Sequence, residues 1–221
     1  MSSATEPAAS DELLADDPVR VEVTRSDTVY EGRVWNLRRD EFRYNGDTIV
    51  REYVDHSGAV AVLALDDDDR MLVIKQYRHP VQVRDWEIPA GLLDVTGEDA
   101  LAAARRELAE EADLVAERWD TLAEFYNSAG GSDEAMRIYL ARGLRPAAEA
   151  FARTEEEADI EVRWVPLDEV VAAVLARRVQ NAALAIGALT AHVSRAGGWT
   201  SLAAADAPWP RRSQPIGAPR R

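Results

Sequence analysis

The sequence predicts a mixed α/β (α+β) fold, and three observations carry that prediction. Short runs rich in Val, Ile, Tyr, Phe and Thr recur from Val19 onward, with turn signals between them. Three stretches carry helical spacing instead: the one that follows WEIPAG, within Gly91 to Leu114, then Asp168 to Arg178, and Asn181 to Ser194. A small antiparallel β unit stands ahead of the main body.

Taken in order, residues 1–18 read as a disordered acidic tail. Residues 19–55 form the β unit. Within it Asn45-Gly46, between EFRY and DTIVREY, is a tight-hairpin signal. Residues 56–200 form the main domain. GAVAVLAL and RMLVIKQY are strand-like runs joined by four aspartates, Asp66 to Asp69, which predict a second hairpin. WEIPAG leads into the first helix. Further strands are expected near LAEFYN, AMRIYLARGL and IEVRWVPL, then two helices, the second stopping at Gly197-Gly198. Residues 201–221, rich in Ala, Pro and Arg, read as a disordered C-terminal tail.

Most of the chemistry lies between Gly91 and Leu114. Glu107, Glu110 and Glu111 fall on one side of the helix, because residues three and four apart are surface neighbours. At roughly 100° per residue, Glu110 and Glu111 straddle Glu107 within about 60°. Leu101, Ala104, Leu108 and Ala112 form a separate apolar stripe. Crowded carboxylates repel one another, and a hard divalent cation such as Mg2+ is their natural partner. The bland alternative is a solvated acidic helix face.

This segment resembles the Nudix box, Gly-x5-Glu-x7-Arg-Glu-U-x-Glu-Glu-x-Gly-U, where U is a bulky aliphatic residue. Glu98, Arg106, Glu107, Leu108, Glu110, Glu111 and Leu114 match in type and mutual spacing. Two positions depart from it. Six residues rather than five separate Gly91 from Glu98, and Asp113 stands where the family has the Gly that ends the helix in a left-handed conformation. Asp tolerates that conformation better than most residues. Gln76-Tyr77-Arg78, WEIPAG, the loop Ser128 to Glu134 and the run Glu155 to Asp159 extend the resemblance to the ADP-ribose pyrophosphatase branch.

The resemblance implies a Nudix α/β/α sandwich with a mixed sheet, and a Mg2+-dependent hydrolase, with Mn2+ able to substitute. Glu107 and Glu111 become metal ligands together with the backbone carbonyl of Ala90 and sometimes Glu110. Arg106 orients the acidic cluster. Glu98 either orients Arg106 or stabilises the first helical turn. The general base comes from a loop outside the box, which favours Glu157, with Glu156 second. Trp35 is the aromatic that stacks on adenine, or else a core or interface tryptophan. Arg51, Glu52 and Arg78 are candidates for base and phosphate contacts. Glu134 would accept from the terminal ribose, and Ser132 would shape its loop. His56, His79 and His192 have no metal-triad spacing and stay unassigned.

Composition fits a soluble cytoplasmic enzyme. The chain has no Cys, so disulfide, thiol-nucleophile and Cys-zinc chemistry are excluded. Its net charge of −14 argues against a general nucleic-acid surface, and its longest apolar runs are too short to span a membrane. The expected partner is a small nucleotide sugar. The expected reaction is hydrolysis of ADP-ribose to AMP and ribose 5-phosphate. Another nucleoside diphosphate sugar such as GDP-mannose, or a non-catalytic ligand sensor, are the alternatives. A sensor should have lost box acids, and this chain keeps them. The β unit is too small to hold a core alone, yet carries Tyr30, Trp35, Phe42 and Tyr44. The resemblance therefore implies a homodimer in which it packs across the partner.

Overall fold

The computed structural model of the chain describes residues 14–148 and 159–210. The N-terminal unit is an antiparallel sheet, β1 (Glu22–Glu31), β2 (Asn36–Tyr44) and β3 (Asp47–Asp55), in that spatial order. Asn45 (φ 52) and Gly46 (φ 88) join β2 to β3, both left-handed as the two-residue hairpin requires. That pairing runs unbroken from Asn36↔Asp55 to Tyr44↔Asp47, whereas β1 slips twice against β2.

The main domain holds two further sheets. One is built from β4 (Ala59–Ala64), β7 (Ala90–Leu92), β8 (Leu114–Tyr126), β9 (Ala135–Pro146) and β11 (Ala203–Ala204), in the order β11-β8-β9-β4-β7. It is mixed, because β4 runs parallel to β9 while the other pairs are antiparallel. The other sheet is β10-β5-β6, from β5 (Arg70–Arg78), β6 (Val83–Glu87) and β10 (Glu161–Pro166).

Strand β4 organises the core. Every one of its residues is buried, and alternate side chains point to opposite faces. Ala61 and Leu63 join Ile138, Leu140 and residues of α2 (Leu167–Leu175) and α3 (Ala182–Ala196). Val60, Val62 and Ala64 join Leu72, Tyr139 and residues of α1 (Ala100–Ala112). Helices thus cover both faces of the mixed sheet, the α/β/α layering that the sequence implied.

Three expectations are corrected. The aspartate turn exists, with Asp66 Oδ1 accepting from the backbone N–H groups of Asp68 (3.0 Å) and Arg70 (2.8 Å). Yet β4 and β5 share only the bridge Leu65↔Met71 and then part into different sheets. Both edges of β4 are already taken by β9 and β7, so no hairpin can zip up. Strands β6 and β7 had not been anticipated as strands, because WEIPAG contains a proline and shows no clean alternation. Residues 201–210 are no disordered tail either. Ala203↔Thr121 adds β11 to the sheet, and Trp209 is buried in the core cluster that also holds Leu108. The Arg137 guanidinium donates to the carbonyls of Ala207 (2.9 Å) and Pro208 (3.2 Å) and lies 4.8 Å from the Trp209 ring. A compositional reading gave one tryptophan too little weight against its Ala-Pro surroundings. Residues 1–13 and 211–221 lie outside the described residues.

Candidate active site

Local sequence fixes both ends of α1. Asp99 is its N-cap, its side chain accepting from the Ala102 N–H at 2.9 Å. Asp113 ends it at φ 53, ψ 36, the left-handed position that a family glycine would occupy. Ala103, Ala104 and Leu108 pack fully into the core. The surprise is that Glu107 and Glu111 are buried with them, at 9% and 4% exposure. A solvated acidic face would leave them in water. Burying two carboxylates beside a third is costly unless charge is supplied to offset them, which a solubilising face would not require.

Arg106 ties the cluster together. It donates from Nε and Nη2 to Glu98 (3.1 Å each), and from Nη1 to Glu107 (2.5 Å) and Glu110 (3.0 Å). Glu98 therefore orients Arg106, and no acid occupies the first turn of α1 itself. The inserted residue before Glu98 has not displaced it from the cluster. The hydrogen bond from Arg106 holds the Glu98 carboxyl below its usual range, and the same bond, ahead of those to Glu107 and Glu110, keeps the guanidinium protonated.

Strand β7 closes the cluster from the other side. The Ala90 N–H donates to Glu111 at 2.9 Å, which brings the Ala90 peptide against the acids. Gly91 lies so close that a Cβ there would stand 1.9 Å from Glu107 Oε1. Among the described residues no three acidic or histidine side chains converge in ligand geometry, since Glu107 turns to Arg106 and Glu111 to Ala90. The donor set nonetheless fits a hard cation: all oxygen, four carboxylates against one guanidinium, two of them withdrawn from bulk water.

The proposed substrate residues lie in two further places. Arg78, at the end of β5, donates twice to the buried Glu87 (2.7 Å each), which sequence reasoning had left unassigned. Trp-Glu-Ile-Pro by itself does not mark that acid; its pairing opposite Ile74 and its burial do. Arg51, Glu52 and Ser132 line a cavity of about 530 Å3 between the N-terminal sheet and the 129–133 loop. Asp40, Phe42, Tyr53 and His56, none of them anticipated as site residues, line it too. Burial, then the charge of Asp40, pushes the Tyr53 phenol up from its ordinary value. No residue of α1 belongs to the cavity wall, so it is not the acidic cluster itself. Glu52 is paired with Arg39 at 2.5 Å. Trp35 is 47% exposed and stacks on His56, with ring centroids 5.5 Å apart. Glu134 accepts from Asn127 at 2.9 Å, and Ser132 Oγ accepts from the Glu134 N–H at 3.1 Å. Glu156 and Glu157 lie outside the described residues.

The model of the NUDIX domain matches residues 55–185, more than half of the chain. The chain belongs to the Nudix family. It is 42% identical over 177 residues to an ADP-ribose pyrophosphatase of Mycobacterium tuberculosis, an alignment covering 80% of this chain and 85% of that one. It is 35% identical over 158 residues to a methanol dehydrogenase activator of Bacillus methanolicus, covering 71% and 84%. A solved structure of an ADP compounds hydrolase superposes with a TM-score of 0.67 at 22% identity, over 84% of this chain and 99% of that one, and supports the Nudix fold. Among the described residues of this Nudix protein, no helix is long and apolar enough to cross a membrane.

Proposed function

We propose that this Nudix hydrolase is a Mg2+-dependent pyrophosphatase that converts ADP-ribose to AMP and ribose 5-phosphate in the cytoplasm, with Mn2+ able to substitute. The observation that carries the reading is the buried acidic cluster of α1, cross-tied by Arg106 and capped by the Ala90 peptide. The 42% identical ADP-ribose pyrophosphatase supports the choice of substrate.

Glu107, Glu110, Glu111 and the Ala90 carbonyl would hold the cation, which when bound neutralises diphosphate oxygens and makes a water molecule more acidic. The protein's own part is positioning. Arg106 keeps three carboxylates from springing apart, and the Ala90 N–H fixes the rotamer of Glu111. Glu157, or Glu156 in its place, accepts the proton as water adds to one phosphorus. The anhydride P–O bond breaks and the bridging oxygen leaves with the other phosphate. Arg78, braced by Glu87, meets phosphate oxygens. Trp35 stacks on the base, Arg51 and Glu52 contact its edge, and Glu134 accepts from the terminal ribose in a loop shaped by Ser132.

The working unit is a homodimer. Tyr30, Tyr44 and Val50 of the N-terminal sheet, with Val34 in the β1–β2 connection, stand exposed on the single chain, an apolar surface that a second copy would cover. Hydrolysis of ADP-ribose, GDP-mannose, ADP-glucose, NADH and nucleoside triphosphates, compared with Mg2+ present, tests the substrate. The reading requires ADP-ribose to give the highest kcat/KM, with AMP and ribose 5-phosphate as products. Preference for another member of the panel overturns it.

A further inference from the structure

His56 sits in the connection between β3 and β4, only 6% exposed, and is engaged on four sides. Its backbone N–H donates to Asp133 Oδ1 at 2.7 Å. Its ring Nδ1 accepts from the Gly58 N–H at 3.0 Å, so the neutral imidazole carries its proton on Nε2. Nε2 stands 3.8 Å from Glu134 Oε1, and the ring face lies against Trp35 with an interplanar angle of 28°. One buried ring thus touches both an aromatic and a carboxylate proposed to hold the two ends of the substrate.

We infer that His56 is a positioning residue for substrate binding, setting the Trp35 indole and the Glu134 carboxylate at once; the inference rests on the ADP-ribose reading above. The imidazole covers one face of Trp35, so a base can stack only on the other. Nε2–H faces Glu134 Oε1 across 3.8 Å, while Asn127 donates to Oε2 at 2.9 Å, so the carboxylate is held between the two. Neither partner is a metal ligand or touches the reacting phosphorus. Loss of His56 therefore weakens the grip on substrate in ground and transition state alike, which raises KM and spares kcat.

Three variants test this. His56→Ala is expected to raise KM for ADP-ribose at least about tenfold with kcat within about threefold. His56→Gln places an amide N–H near the site of Nε2 and recovers most of the KM. His56→Asn places an oxygen near the site of Nδ1, serves only Gly58, and does not recover it. Unchanged KM in His56→Ala, or recovery by Asn and not by Gln, overturns the inference, because the ring would then serve the β3–β4 turn alone. If His56→Ala does not fold, the contrast between Gln and Asn decides in the same way. If wild-type protein does not hydrolyse ADP-ribose, the substrate reading fails on its own, and emission from ligand-free protein still tests the stack. The Trp35 contribution, taken as the difference from a Trp35→Phe counterpart, must change in His56→Ala; an identical contribution overturns the inference.

Discussion

Gly91 and Glu107 occupy one small space: a Cβ on Gly91 would stand 1.9 Å from Glu107 Oε1 and 2.1 Å from its Cδ. Strand β7 can approach α1 this closely only because residue 91 has no side chain. Gly91→Ala leaves the backbone unstrained and drives the Glu107 carboxylate out of place. Turnover should fall at least about tenfold, as when a group orienting a metal ligand is perturbed, while circular dichroism and the unfolding midpoint change little. Steady-state rates at saturating Mg2+ check it.

The Glu98–Arg106 pair gives a second test. Glu98→Gln keeps the shape and removes the charge that holds the guanidinium, so turnover should drop about tenfold. The pairing also has a pH signature. The folded pKa of Glu98 is lowered by Arg106, so its contribution to stability is full above the ordinary carboxylate pKa and is lost as pH falls through the lowered value. Thermal midpoints of wild type and Glu98→Gln should therefore draw together as pH falls below the ordinary carboxylate range and through that lowered value.

Base and ligand separate by kinetics. Glu157→Gln should lower kcat while leaving the affinities for Mg2+ and substrate near wild type, as for a group acting in the transition state. Should Glu156→Gln show that behaviour instead, the role moves by one residue. Two fully active variants would remove Glu156 and Glu157 from the chemistry.

The acidic cluster was legible in the sequence because helical geometry turns spacing directly into adjacency, and Asp113 does end α1 left-handed as its position required. The Asn45-Gly46 hairpin was legible for the same local reason. What sequence could not supply was long-range pairing. Asp66 to Asp69 make a turn, but β4 takes its neighbours from residues 90–92 and 135–146, which no local pattern encodes. The His56 cluster joins residues from 35, 56 and 134, and Glu87 acquires meaning only once Arg78 stands beside it.

Trp209 makes the same point about the C-terminal segment. It is buried in the same core cluster as Leu108, and the Arg137 guanidinium lies over its ring. Trp209→Ala should cost about 3 kcal/mol in urea unfolding, the usual range for emptying a buried aromatic site. A change under about 0.5 kcal/mol would mean that residues 201–210 are not part of the folded core.

The central claim is that the buried carboxylates of α1 hold the catalytic cation, and Glu111→Gln tests it most directly. The substitution keeps size and the capacity to accept from the Ala90 N–H, and removes one negative charge from the cluster. ADP-ribose turnover, measured across a Mg2+ titration, should fall at least about a hundredfold with the fold intact. Wild-type turnover at saturating Mg2+ would contradict the account.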